Sequence, residues 1–306
     1  MPNRAVVEAV RAKFTKKNGE LKRLKKPPKW LFPESAEREY TRELYQLTFL
    51  LRMQIIEKLL PAIPSLLRQA TQNYPDPIDQ NDRHDDFVDD LNGIMRVIAL
   101  AILPKQTETI AEAARVGFQI ALYNSGQFTK ITNSVLGIDI FQDQPWLRPQ
   151  LELFANQNAQ LIESLTETQI DRVSGMVQRG LQEGSTYETI AEDIQTSFGI
   201  CRRHAKLIAR DQTTKLNGSL TKLRQQELGI TEYVWRTGND ERVRPSHAVL
   251  EGKICRWDDP TVYRNPGSDK WLKKSSIGGD QVQTSQAVNC RCYPEPIIAG
   301  ILEVLD

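Results

Sequence analysis

Apolar residues at Tyr40, Leu44, Leu47, Leu51 and Ile55 recur at intervals of three and four, which sets them on one stripe of a helix. Ser35 precedes that stripe as its N-cap. Glu37, Glu39 and Glu43 follow where the helix macrodipole favours negative charge, and Pro61 and Pro64 end it. Two further helices are predicted over about 83–103 and 106–123, parted at Pro104, with "NSGQ" (124–127) as a break after them. "VLGIDIFQDQPW" (135–146) reads as a short strand or loop. The next helix spans about 149–181, carried by Leu153, Leu161, Leu165, Ile170, Val173 and Val177. "STYE" then offers a capping box, Ser185 with Glu188, for a helix that buries Ile190, Ile194 and Phe198 and stops at Gly199. A last helix, about 202–228, closes at Gly229.

Beyond that glycine the pattern changes. "TEYVWRT" alternates as a strand does, with Tyr233 and Trp235 on one face. From Gly238 to Pro296 the chain is rich in Gly, Pro, Asp and Asn, and its apolar runs are short. The pattern predicts an α+β protein: a mostly helical N-terminal body followed by a small C-terminal α+β module with short strands. Its regions are a basic arm or linker at 1–34, a helical region at 35–148, and the C-terminal module with its leading helices at 149–306.

Charge refines this picture. The 306 residues carry a net charge of +1, so no bulk attraction to nucleic acid or acidic membranes is expected. The distribution is uneven, however. Between Met1 and Phe32 the basic residues are Arg4, Arg11, Lys13, Lys16, Lys17, Lys22, Arg23, Lys25, Lys26 and Lys29, against Glu8 and Glu20. Within this arm Lys13, Lys16, Lys17, Lys22, Arg23, Lys25 and Lys26 are candidate contacts for DNA phosphates or for an acidic protein surface. The segment from Asp76 to Asp90 reverses the balance, with aspartates against Arg83. The most apolar run, "IMRVIALAIL", contains Arg96 and falls short of the roughly 20 residues a bilayer span needs. No secretory apolar core opens the chain, so synthesis in cytoplasm is expected, with Cys201, Cys255, Cys290 and Cys292 as thiols or metal ligands and no disulfide framework.

Candidate chemistry gathers between "ERVRPSHAVLEGK" (241–253) and "NCRCYPEP" (289–296). A metal site would draw on His247, Cys290 and Cys292, with Cys255 as a further donor. Alternation in a strand would turn both thiols of "CRC" to one side, yet a single intervening residue makes a poor chelate for two thiolates. A nuclease of the His-metal kind lacks further ligands, since His84 and His204 fall in predicted helices. A Cys–His hydrolase lacks a nucleophile elbow, and Ser246 and His247 as strand neighbours would point apart. The sequence therefore predicts no catalytic residue, no metal and no cofactor; the rival reading is a metal-dependent hydrolase or nuclease using His247 and the C-terminal cysteines. The residue types suit a polar lattice better. Arg242, Arg244 and Arg291 donate in fixed geometry, Asp240, Glu241, Asp258 and Asp259 accept, Asn289 holds a loop, and Gly252 and Gly238 fit turns.

The stretch from Phe198 to Pro296 resembles the phage Mu F-like minor head (head morphogenesis) proteins. That family shows an "IAR-[T/D]-x-T" helix, a Gly, a strand with Trp, then "D-x-R-x-R-x-x-H-x-x-x-x-G" and a closing "N-C-R-C". The matching positions here are Ile208–Thr213, Gly229, Trp235, Asp240, Arg242, Arg244, His247, Gly252, Asn289, Cys290, Arg291 and Cys292. Two departures stand out: Glu251 replaces the usual aspartate, and "QTSQAV" (283–288) brings no second histidine. The resemblance implies a structural component of a tailed-phage or prophage procapsid, located in the virion and associated with the portal protein. Scaffold, major capsid protein and packaged DNA are further expected partners, and no membrane is. It implies no catalytic activity, and with the sequence ending at Asp306 none is expected from an appended domain.

Overall fold

A computed structural model describes residues 28–72, 80–136 and 144–298, together with residue 8 and residues 12–15. Most of the stretch read as a short strand or loop, 137–143, lies outside the described residues. The fold is α+β. Helix α1 (Glu34–Lys58) keeps Tyr40, Leu44, Leu47, Leu51 and Ile55 fully buried, as the stripe predicts. It begins at Glu34, so Ser35 lies in its first turn and is not its cap. A 3-10 turn (Leu60–Ala62) leads into α2 (Ile63–Gln72), where Pro64 occupies the second position and no helical N–H is needed from it.

Helix α3 (Gln80–Leu136) corrects the sequence reading twice: it runs unbroken through both Pro104 and "NSGQ". The buried stripe explains why. Ile98, Ile102, Gln106, Thr109, Ala113, Val116, Ile120, Asn124, Phe128 and Ile131 keep helical spacing across both supposed breaks. Pro104 is exposed, and so is Leu100, whose carbonyl loses its intrahelical partner. Water can satisfy that carbonyl. Helix α4 (Leu147–Glu183) matches its expected span. Helix α5 (Tyr187–Glu227) replaces two expected helices, because the stripe Ile194, Phe198, Cys201, Ala205 and Ile208 continues across Gly199.

The cap of α5 also moves. Ser185 is spent in closing α4, where Gly184 at φ +69° lets the Ser185 N–H reach the Gly180 carbonyl at 2.8 Å. Thr186 caps α5 instead, its Oγ1 accepting the Thr189 N–H at 3.3 Å. The same backbone pattern ends α5, with Gly229 at φ +76° and the Ile230 N–H on the Gln225 carbonyl at 2.9 Å.

The chain divides into two compact units. One comprises Glu37–Val116 and Ala155–Ala209. Its helices share the α1 stripe and a few buried polar ties: Tyr40 donates to Asn158 at 2.6 Å, Gln106 to Thr166 at 3.0 Å and Gln169 to Ser197 at 2.7 Å. No helix among the described residues is long and apolar enough to cross a membrane.

The other unit comprises Met1–Ala36, Gly117–Phe154 and Arg210–Asp306. Within it the stretch before α1 is pinned, with Trp30 buried edge-on to Phe128 and the Leu31 N–H donating to Gln127 at 2.7 Å. Strands β1 (Glu232–Arg236), β2 (Ile254–Arg256) and β5 (Tyr293–Pro296) form an antiparallel sheet in the order β2-β1-β5. A second pair, β3 (Val262–Tyr263) and β4 (Leu272–Lys273), lies between them in sequence. Alternation on β1 buries Tyr233 and Trp235 as expected, in a core shared with Leu250, Cys255, Trp257, Tyr263, Cys290 and Cys292. Gln225 fastens the sheet to the end of α5: it accepts from the Trp257 indole at 2.9 Å and donates to the Pro294 carbonyl at 3.0 Å.

Candidate functional site

One short turn of helix, α6 (Pro245–Ala248), positions the histidine. Pro245 starts it, and His247 then points inward, 3% exposed, with its ring edge-on to Trp235 at 5.5 Å. Its Nε2 lies 2.8 Å from Asp280 Oδ2, and the Asp280 N–H reaches back to the Ser246 carbonyl at 3.3 Å. The imidazole is therefore held on one side, leaving Nδ1 for the other.

On that other side stands the "NCRC" loop. Asn289 adopts φ +58°, and its N–H donates to Asp211 Oδ1 at 3.0 Å while Lys215 pairs with Asp211 Oδ2 at 2.7 Å. Arg244 donates to the Val288 carbonyl at 2.6 Å, and the Cys290 N–H to the Ala287 carbonyl at 3.1 Å. Arg291 pairs with Asp240, whose Oδ1 also accepts the Arg242 N–H at 3.1 Å. Residues 290–292 are irregular, not a strand. The turn at Asn289 brings both sulfurs to Nδ1: Cys292 Sγ at 3.3 Å and Cys290 Sγ at 3.6 Å.

Of the motif residues after β1, all but Gly252 line a single cleft of about 60 Å³, namely Asp240, Arg242, Arg244, His247, Asn289, Cys290, Arg291 and Cys292. Gly252, at φ +74°, serves the fold by donating to the Trp235 carbonyl at 2.9 Å. Its neighbour Glu251 accepts from the Thr237 N–H at 2.6 Å and from its hydroxyl at 2.7 Å, so the longer acid still ties off the end of β1. Other expected partners are placed elsewhere. Cys255 sits on β2, near Tyr233 and Lys274, and is not part of the His247 cluster. Asp258 pairs with Arg256, and Asp259 holds Thr261 at 2.7 Å, so neither accepts from the cleft arginines.

The cluster has a distinct charge preference. The Cys290 thiol is drawn down to about 4, first by the hydrogen bond from the Cys292 thiol and then by His247, against the opposing effect of burial. Cys292 moves up, because its proton bonds the Cys290 sulfur. His247 is raised, chiefly by Cys290 and with help from Asp280, while burial works the other way. Anionic sulfur beside an imidazole can hold a soft cation or form an internal ion pair.

Sequence reasoning missed Gln225 and Asp280, and it placed Asp211 in the helical motif without giving it a role. Asp211 is legible in hindsight inside "IARDQT": its carboxylate is what fixes the left-handed Asn289. Replacing Asp211 by Ala is expected to cost about 1 kcal/mol, since the Asn289 amide loses a charged acceptor in a part-buried hydrogen bond. Urea unfolding will measure that loss, and hydrogen exchange at Asn289 will accelerate more than at the β1 amides.

Also unforeseen is a groove of about 890 Å³ between α1 and α5, within the unit that holds Glu37–Val116. Arg38, Arg42, Arg52, Arg202 and Lys206 line it with Tyr45 and Phe49, and the Arg202 guanidinium lies 4.4 Å over the Tyr45 ring. Of the arm's candidate contacts, Lys13 is exposed, while Lys16, Lys17, Lys22, Arg23, Lys25 and Lys26 lie outside the described residues.

The fold and cleft thus define a small α+β module closed by a histidine–thiol cluster. Residues 171–294 match the family model described as Phage Mu protein F like protein, which bears out the resemblance seen in the motifs. The chain is also similar to an uncharacterized protein of Haemophilus influenzae, 28% identical over 225 residues, covering 69% of this chain and 46% of that protein. It therefore spans about half the length of that curated relative. No solved structure matches.

Proposed function

We propose that the chain is a structural minor head protein of a tailed phage or prophage, made in the host cytoplasm and acting in procapsid assembly at the portal vertex. The observation that carries this reading is the family match, which runs from within α4 through α5 to β5 and takes in every motif residue. That family points to phage head morphogenesis. The uses of the motif side chains support an architectural role: Asp211, Arg244 and Glu251 bond backbone groups, and Asp240 pairs with Arg291. A hydrolytic reading would take His247 as base for a neighbouring thiol, Cys290 or Cys292, but all three residues are buried beneath a cleft of only about 60 Å³. There Asp240, the cleft's acid, is engaged by Arg291 and the Arg242 N–H.

The basic arm and the groove between α1 and α5 supply two surfaces for DNA or for an acidic head protein. Deleting residues 1–26 should leave the melting temperature of the purified chain within about 2 °C, because the described residues of that segment are exposed or only partly buried and a short helix is marginal in water. The same deletion should lower recruitment into heads when it replaces the full chain in a producing lysogen. Sedimented procapsids, probed for the chain and for portal protein across a salt series, check this. Normal head yield with normal recruitment would remove the arm from the mechanism. Absence of the full-length chain from procapsids would overturn the head-protein reading.

A further inference from the structure

The histidine–thiol cluster has the dimensions of a metal site. His247 Nδ1, Cys290 Sγ and Cys292 Sγ lie within 4.8 Å of one another, and all three residues are buried. A tetrahedral zinc ion with bonds of about 2.3 Å to sulfur and about 2.0–2.1 Å to nitrogen sets nitrogen and sulfur roughly 3.6 Å apart. The observed separations, 3.6 Å to Cys290 and 3.3 Å to Cys292, require almost no rearrangement to admit such an ion. The far nitrogen is already engaged. Asp280 holds Nε2 at 2.8 Å, the carboxylate–histidine arrangement that orients a metal-binding ring and raises its basicity.

The objection from spacing also falls away. One residue between two cysteines is a poor chelate when both thiolates must come from one extended strand. Here the turn at Asn289 bends the loop, and the third donor arrives from a separate helix turn packed beneath it. Among the described residues no fourth histidine, cysteine or carboxylate joins the group. The three donors line the cleft of about 60 Å³ together with Asp240, Arg242 and Arg244, which has room for an ion and a water.

We propose that His247 Nδ1, Cys290 Sγ and Cys292 Sγ bind one borderline-soft divalent cation of the zinc class, with its fourth position facing the Asp240–Arg244 cleft. The ion joins α6 to the loop before β5 and so staples the small module. Binding requires both cysteines as thiolates and a neutral His247, so it releases whatever protons the cluster holds. This site is independent of the head-assembly reading and survives if that reading fails.

The test uses the full chain, purified under reductant without chelator. Elemental analysis should find about one zinc per chain. Stripped protein titrated with Co²⁺ should develop the near-ultraviolet thiolate charge-transfer band and the strong visible bands of a tetrahedral site, and zinc should bleach both. The Cys290→Ser, Cys292→Ser double variant should lose the thiolate band, whereas Cys201→Ser with Cys255→Ser should keep it. Asp280→Asn should retain the band but weaken zinc affinity by about 10–100-fold, the effect expected of a positioning residue. The wild-type titration needs no variant to fold. If reduced, folded wild-type chain gives no thiolate band with Co²⁺ and less than about a tenth of a zinc after loading, the site does not exist. Alkylation of Cys290 at an unchanged rate with and without zinc would overturn it equally and leave the pair to thiol chemistry.

Discussion

Replacing Arg224 by Ala will lower the stability of the chain by about 3–5 kcal/mol, the range of a large buried side chain lost together with its hydrogen bonds. Arg224 is fully buried, and burial lowers its guanidinium to about 10, so it remains a cation at neutral pH. It donates to Asn124 Oδ1 and, at 3.0 Å, to Gln144, and lies 5.4 Å from the Trp146 ring centroid. Asn124 in turn donates to the Asn217 carbonyl at 3.0 Å and to Thr221 at 2.8 Å. Truncation therefore opens a cavity and strands two acceptors at once. The Arg224→Met variant fills the volume without the donors and should recover roughly half of the loss. Urea midpoints at constant m-value will separate the two; equal midpoints for wild type and Arg224→Ala would show the network to be energetically idle.

Gly218→Val is the second large effect. Glycine inside a helix normally costs up to about 1 kcal/mol against alanine, so filling it would ordinarily stabilise. At Gly218 a Cβ would stand 2.4 Å from Ser285 Cβ and 2.8 Å from its hydroxyl. Ser285 cannot easily withdraw, because it is buried at φ +68° and its hydroxyl bonds the Cys292 carbonyl at 3.0 Å. Valine should thus cost about 3 kcal/mol, the upper part of the overpacking range. Gly199→Ala in the same helix is the control: its nearest neighbour would be an arginine tip at 3.7 Å, and a gain of up to about 1 kcal/mol is expected. Thermal melts of the three proteins check the opposite signs.

These two sites also mark what the sequence could and could not convey. Long apolar stripes were legible because helical spacing is a local property, and they placed Tyr40 to Ile55 and the Tyr233–Trp235 face correctly. Punctuation was misread. Pro104, "NSGQ" and Gly199 carry strong local break signals, but each lies within a stripe that packing preserves on both sides. Asn124 is buried for its amide, a role that composition alone reads as a turn. The motif residues were recognised as a set, and those of 240–247 and 289–292 line one cleft. The convergence of Cys290 and Cys292 on Nδ1 was not legible, since it depends on the left-handed turn at Asn289 and on an aspartate from α5 that lies 78 residues before it. The basic groove was hidden for the same reason, being assembled from two helices more than a hundred residues apart in the chain.

The strand order has a consequence for synthesis. β1 sits at the centre of the sheet but is made before both of its neighbours, and β5, the last of the described strands to leave the ribosome, completes the sheet. Until then Trp235 lacks the β5 side of its shelter, and the loop bearing Cys290 and Cys292 has nothing to hold it against His247. The two thiols therefore meet the imidazole only after nearly the whole described chain is available to fold. A nascent chain stalled before residue 293 would carry a half-built sheet with an open edge, a natural point for chaperones to engage.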